Sequence, residues 1–250
     1  MDNAHTRFSL LGMPIDPLTC DQVLEKIKLY LSSPRSFHHI VSINPENIVI
    51  AQDNHDYRAL CQTSDLALTD GIGVVLAAKI VGKSIPERVA GSKLLPLLLD
   101  LAGAMSSTVV LIGGQANLAG KIAKCYSQSY PEAKFIGIEG YKNKLSPTTQ
   151  EESHIESIVR TTRPHFVIIA FGSPFQELWI DSHKSLFKDS ICMGVGGAFS
   201  YLSGATQKPP SIISQLGFEW LFRLINEPWR VQRQLTRLPR FVALVLKEWI

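Results

Sequence analysis

Little in this 250-residue sequence points to a membrane span, a disulfide framework or a metal site. The N-terminal MDNAHTRFSL has no apolar signal core. The long uncharged stretch 190–207 holds four glycines and is too polar to cross a bilayer. The four cysteines, Cys20, Cys61, Cys125 and Cys192, form no CxxC pair, so buried reduced thiols are expected. Seven histidines show no metal-ligand spacing, and there is no DxD pair to hold a cation on a diphosphate. No repeat or low-complexity tract is present. No GxGxxG is followed by an acid at the distance a dinucleotide fold requires. A cytosolic globular chain is expected.

Charge is scarce too, at 19% of residues and a net +3, and its location is informative. Residues 211–250 carry six cations (Arg223, Arg230, Arg233, Arg237, Arg240 and Lys247) against Glu219, Glu227 and Glu248. The whole excess therefore lies in this tail. No nucleic-acid-binding module accompanies it, and no nucleic-acid partner is expected.

Apolar runs ending in glycine or a polar residue alternate with helical patterns. A hairpin is predicted around Gly12. Strands are predicted over 39–43, 66–68, 108–112, 134–138, 165–170 and 191–195. Helices are predicted over 19–31 (Thr19 as cap), from 46, over 71–81, up to about 129, over about 147–161 and from 174. This alternation predicts an α/β fold, a doubly wound, mostly parallel, Rossmann-like sheet over 1–210, with a helical appendage over 211–250. Such sheets bind ligands outside the carboxyl ends of their strands. There lie Ser42, Asn44, Asp70, Gly113, Gly114, Gly172, Gly196 and Gly197.

Each feature has a structural alternative. The glycines suit either a diphosphate cradle or tight turns. Asp70, before Gly71, suits either a general base or the cap of the following helix. Ser42 and Asn44 before Pro45 suit capping equally well. Gln176 and Glu177 fall in a first helical turn, where acceptors are favoured anyway. In the tail, successive arginines lie 7, 3, 4 and 3 residues apart and would share one stripe of a helix. Pro228 and Pro239 are expected to break that helix into short ones. Interleaved Trp, Leu and Phe give it an apolar side suited to a membrane surface.

The segments TDGIGVV (69–75), ERVAG (87–91), VLIGG (110–114), EGY (139–141), FGSPFQELWI (171–180), MGVGGAF (193–199) and GFEWLFRLINEPWRVQRQL (217–235) together resemble the WecG/TagA/CpsF glycosyltransferases, family 26. They occur in family order over nearly the whole chain. The resemblance implies inverting, metal-independent transfer of a sugar, of N-acetylmannosamine type, from a UDP donor to a polyprenyl-diphosphate-linked saccharide. It implies no cofactor, a peripheral place on an anionic bacterial inner membrane face, and compatibility with a homo-oligomer. It makes Asp70 the base, with Ser42, Asn44 and Gln176 beside it. Arg88, Gly113, Gly114, Tyr141, Gly172, Glu177, Gly196, Gly197 and Ser200 would serve the donor. Arg223, Arg230 and Arg233 would cover its diphosphate. Ser42 stands where threonine is common, Phe175 where a basic residue is usual, Ser200 where aspartate is frequent, and Lys93 where an acid is typical. These departures bear on donor identity; the alternatives are a glucose-type donor, a non-catalytic UDP-sugar binder, and a nucleotide-dependent oxidoreductase or epimerase on a similar sheet.

Overall fold

A computed structural model describes residues 6–32, 35–115, 117–207, 209–210, 213, 219–226 and 231–249. The predicted hairpin is present as β1 (Phe8–Leu10) against antiparallel β2 (Met13–Ile15). Both of its turn residues, Leu11 and Gly12, have positive φ, at 53° and 77°. That geometry matches strand twist but is uncomfortable for leucine.

The main sheet contains β3 (His38–Ile43), β4 (Leu66–Thr69), β5 (Thr108–Gly113), β6 (Lys134–Ile138), β7 (Phe166–Ala170) and β8 (Ile191–Gly194). Its order is β4-β3-β8-β7-β5-β6, and the strands run parallel, as the alternation of apolar runs and helices predicts. Val110 aligns with Val167, and Ile168 with Met193. The central strands VVLI, FVII and ICM are buried along their length, which is why they read as continuous apolar runs rather than alternating ones.

The chain forms two compact units: Met1–Cys20, Ser42–Ala90 and Gln207–Ile250 in one, Asp21–Val41 and Gly91–Thr206 in the other. The first contains α2 (Pro45–Asp53), α3 (His55–Gln62), α4 (Ile72–Ile80), α10 (Glu219–Asn226) and α11 (Val231–Trp249). The second contains nearly all of α1 (Cys20–Ser32), then α5 (Gly91–Ala104), α6 (Leu118–Ser129), α7 (Thr149–Thr162), α8 (Phe175–Ser182) and α9 (Ala198–Leu202). Helix α7 opens on a capping box: Thr148 accepts from the Glu151 N–H, and the Glu151 carboxylate accepts from the Thr148 N–H.

Patterning does not predict α3 or α5. Asn54 both terminates α2 and caps α3, its Oδ1 accepting from Tyr57 N at 2.8 Å, so one apparent helix is two. Helix α5 contains Pro96 and two glycines, so its composition obscures a buried face of Leu94, Leu95, Leu98, Leu99 and Ala102. The break expected at Pro239 is absent, because α11 runs straight through it. A mid-helix proline costs about 3 kcal/mol. Phe241 and Val245, each 4% exposed, offset that by burying their side chains at about 1.5–3 kcal/mol apiece. Pro228 lies outside the described residues. Of the cysteines, Cys20, Cys61 and Cys192 are buried as expected, whereas Cys125 is exposed; all four are free thiols.

Candidate active site

In the first unit, Asp70 follows directly on β4, its N–H donating to Ile43 O at 2.8 Å. It is not the cap of α4. That position belongs to Gly71, which makes no side-chain capping bond. Gly71 has φ 102°, and a Cβ there would meet the Pro45 ring at 3.3 Å, so only glycine fits between α4 and α2. Asp70 therefore stands one residue ahead of the cap of α4, at the carboxyl end of β4. Asn44, by contrast, does cap α2, its Oδ1 accepting from Asn47 N at 2.9 Å. Ser42 Oγ is buried with no hydrogen-bond partner among the described residues, and so is Thr69 Oγ1, immediately before Asp70. Buried hydroxyls are rarely left unsatisfied, and a ligand or water would complete them. Sequence reasoning does not select Thr69, whose only signal is its place in TDG.

Arg88 donates from Nη1 to Glu219 Oε2 at 2.8 Å. This bond holds the guanidinium firmly protonated, and the negative charge of Asp70 adds a smaller contribution. In the tail, Arg223 lies in α10 and Arg233 in α11, but their side chains and the whole of Arg230 are outside the described residues. Two neighbouring arginines are paired: Arg237 with Glu46 at 3.4 Å, and Arg240 with Asp53 in a two-pronged contact at 2.5 and 2.6 Å. On α11, Leu235, Leu238, Val242, Leu246 and Trp249 are exposed at successive spacings of 3, 4, 4 and 3, one outward stripe.

In the second unit, Gly113, Gly114 and Tyr141 come together around a cavity of about 330 Å³ at the carboxyl ends of β5, β6 and β7. Gly140, Ala170, Phe171 and the loop 142–145 complete its wall. Gln176, 4% exposed, binds two glycine turns: its Oε1 accepts from Gly172 N at 3.0 Å and from Gly196 N at 3.1 Å. Two N–H donors require oxygen at that position, so Nε2 faces the other way and donates to Glu177 Oε1 at 2.7 Å. A Cβ on Gly194 would lie 2.4 Å from that amide nitrogen, which explains glycine at the end of β8. Glu177 is 1% exposed, and burial pushes its carboxyl above the usual range. Gly197 is the cap residue of α9, and Ser200 lies within that helix. Among the described residues, one group of metal-ligating side chains converges, Glu152, Glu156 and His183, with ligand atoms within 4.8 Å of one another. No helix among the described residues is long and apolar enough to cross a membrane.

Comparison with known proteins shows the family. The family described as Glycosyl transferase WecG/TagA/CpsF matches residues 8–250. The N-acetylglucosaminyldiphosphoundecaprenol N-acetyl-beta-D-mannosaminyltransferase of Bacillus spizizenii is 32% identical over 208 residues, 83% of this chain and 78% of the relative. The protein of the same name from Bacillus subtilis (strain 168) is 31% identical over 210 residues, covering 84% and 79%. That from Staphylococcus aureus (strain MW2) is 26% identical over 242 residues, covering 96% and 92%.

Proposed function

Since the chain belongs to the WecG/TagA/CpsF family of glycosyltransferases, we propose that it transfers an N-acetylmannosamine-type sugar from a UDP donor to a polyprenyl-diphosphate-linked N-acetylglucosamine, inverting the anomeric centre without a metal. The chain-long likeness to transferases named for that sugar and that acceptor carries this reading. Asp70 supports it, as a carboxylate at a strand end immediately ahead of a glycine-capped helix.

In this reading the acceptor hydroxyl attacks the anomeric carbon while Asp70 takes its proton, the part played by the base in an inverting glycosidase. The bond from sugar to diphosphate breaks, and UDP leaves with the electron pair. UDP is a good leaving group and needs no general acid, but its growing negative charge must be met. The N–H groups of Gly172 and Gly196 are committed to Gln176, so that task falls to cations: Arg88 in the core, and Arg223, Arg230 and Arg233 in the appendage formed by residues 211–250. Guanidinium suits diphosphate because it offers paired, charge-assisted bonds. The outward apolar stripe of α11, beside its basic residues, suits a peripheral place on an anionic membrane that carries the acceptor lipid.

A panel of UDP-sugars assayed against a short-chain N-acetylglucosamine-diphospholipid tests the reading. Turnover is expected with the N-acetylmannosamine donor, with the opposite anomeric configuration in the product, and undiminished in excess EDTA. Turnover with UDP-glucose alone would replace the donor. Loss of activity in EDTA with recovery on adding magnesium would sink the arginine account.

A further inference from the structure

Tyr141 forms part of the wall of the 330 Å³ cavity, and its hydroxyl is bonded to two protein side chains. The phenol donates its single proton to Glu152 Oε2 in a short hydrogen bond. It also accepts from Trp179 Nε1 at 2.6 Å. Burial and the Glu152 carboxylate hold the phenol well above its ordinary pKa, so the proton stays in that bond. Glu152 is fixed in turn: its Oε1 lies 2.6 Å from His183 Nε2. The other ring nitrogen, Nδ1, is 2.8 Å from Trp179 O. The Trp179 carbonyl and the Glu152 carboxylate both only accept, so in each contact the ring nitrogen is the donor. The His183 ring also stacks on Trp179, with centroids 4.4 Å apart. Glu152 thus sits in a closed relay running from α7 through α8 to the cavity wall.

A tyrosine whose one proton is spent cannot donate to a substrate. What it presents is its ring, next to Phe171 at 5.2 Å between centroids. An aromatic face suits a planar heterocycle and suits a phosphate poorly. We propose that Glu152, held by His183, is a positioning residue for donor binding, locking Tyr141 so that this cavity takes the planar base of the nucleotide against an aromatic wall. The proposal rests on the UDP-donor reading above.

The test is calorimetric titration of UDP, paired with steady-state kinetics on the UDP-sugar. Glu152→Ala is expected to raise the UDP Kd and the donor KM together by roughly tenfold, with kcat within about threefold, the pattern of lost binding rather than lost chemistry. Glu152→Gln keeps an oxygen that accepts the phenol proton and should recover to within about threefold of the parent. Tyr141→Phe, which removes a single oxygen and leaves the fold testable if Glu152→Ala does not accumulate, should match Glu152→Ala. Combining the two should add little, since both cut one bond. Thermal melts confirm that each variant is folded. A UDP Kd for Glu152→Ala within about twofold of the parent, or full additivity with Tyr141→Phe, overturns the proposal. If Tyr141→Ala also binds UDP normally, the base lies elsewhere and the proposal is again overturned. A parent protein that binds no UDP at all rejects the donor reading itself, a separate and recognisable result.

Discussion

Asp70 and Gln176, one in each compact unit, sit in differently built surroundings. In the unit that carries Asp70, charged groups are held by other charges: Arg88 by Glu219, Arg237 by Glu46, Arg240 by Asp53. Even its hairpin turn is steadied this way, as the Leu11 N–H donates to the Glu248 carboxylate at 2.9 Å. In the unit that carries Gln176, a neutral and buried amide joins two glycine turns, and the one nearby acid is pushed by burial toward its uncharged form. Partly exposed ion pairs are weak and easily exchanged for a charged ligand. Buried neutral bonds are stiff and costly to break. Under the proposed function, the contrast would give proton transfer to the first unit and a preset backbone around Gln176 to the second.

The sharpest way to break this comparison is at Asp70. Asp70→Asn is expected to lower turnover by roughly two to four orders of magnitude, the scale of a lost general base. Its melting temperature and UDP affinity should stay near the parent's. A turnover within about threefold of the parent would move the base elsewhere. The next largest effect concerns the tail. Phe241 is buried in α11, and Phe241→Ala should cost about 3–4 kcal/mol in urea unfolding, as large-to-small core changes do. A cost below about 1 kcal/mol would mean that the tail is a loosely held attachment rather than part of its unit's core.

In the second unit, Gln176→Ala strands the N–H groups of Gly172 and Gly196. A loss of about 2 kcal/mol of stability is expected, with a raised donor KM. Unchanged stability would show that water replaces the amide without penalty. The smallest effect is a slope. Burial raises Glu177 above its ordinary 4.5, so the folded chain keeps a proton that the unfolded chain releases. Its contribution to stability is complete below that pH and declines as pH rises through the higher folded value. Glu177→Gln lacks the titrating group, so the parent should lose stability relative to the variant as pH rises above 4.5. Parallel stability curves for the two proteins would place a charged carboxylate in that site.

Much of the fold was legible because its sheet strands are short apolar runs closed by glycine or a polar residue, and buried parallel strands have no other way to read. Helices α3 and α5, which patterning does not predict, lost their signals for separate reasons, and the five-residue α9 is also unpredicted. Helix α3 is hidden because Asn54 serves two helices at once. Helix α5 is hidden because Pro96, Gly91 and Gly103 are poor helix formers, although Leu94, Leu95, Leu98, Leu99 and Ala102 share one buried face. Around the site, Asn44 turned out to be a cap, while Asp70, with the same sequence argument for capping, did not. One-dimensional spacing gives each residue both roles, and only the path of the chain at Gly71 separates them.

The sequence by itself determined the parallel α/β architecture, the family motifs and the concentration of positive charge in the tail, because each follows from local patterning or composition. The tertiary structure decided everything that depends on a partner distant in the chain. It turned Gln176 into the link between Gly172 and Gly196, and tied Arg88 to Glu219 across 131 positions. It carried α11 unbroken through Pro239 by burying Phe241 and Val245. It also directed the Tyr141 proton to Glu152. Hydrogen bonds and packing act between atoms a few ångströms apart, and a sequence records neighbours along the chain, not neighbours in space.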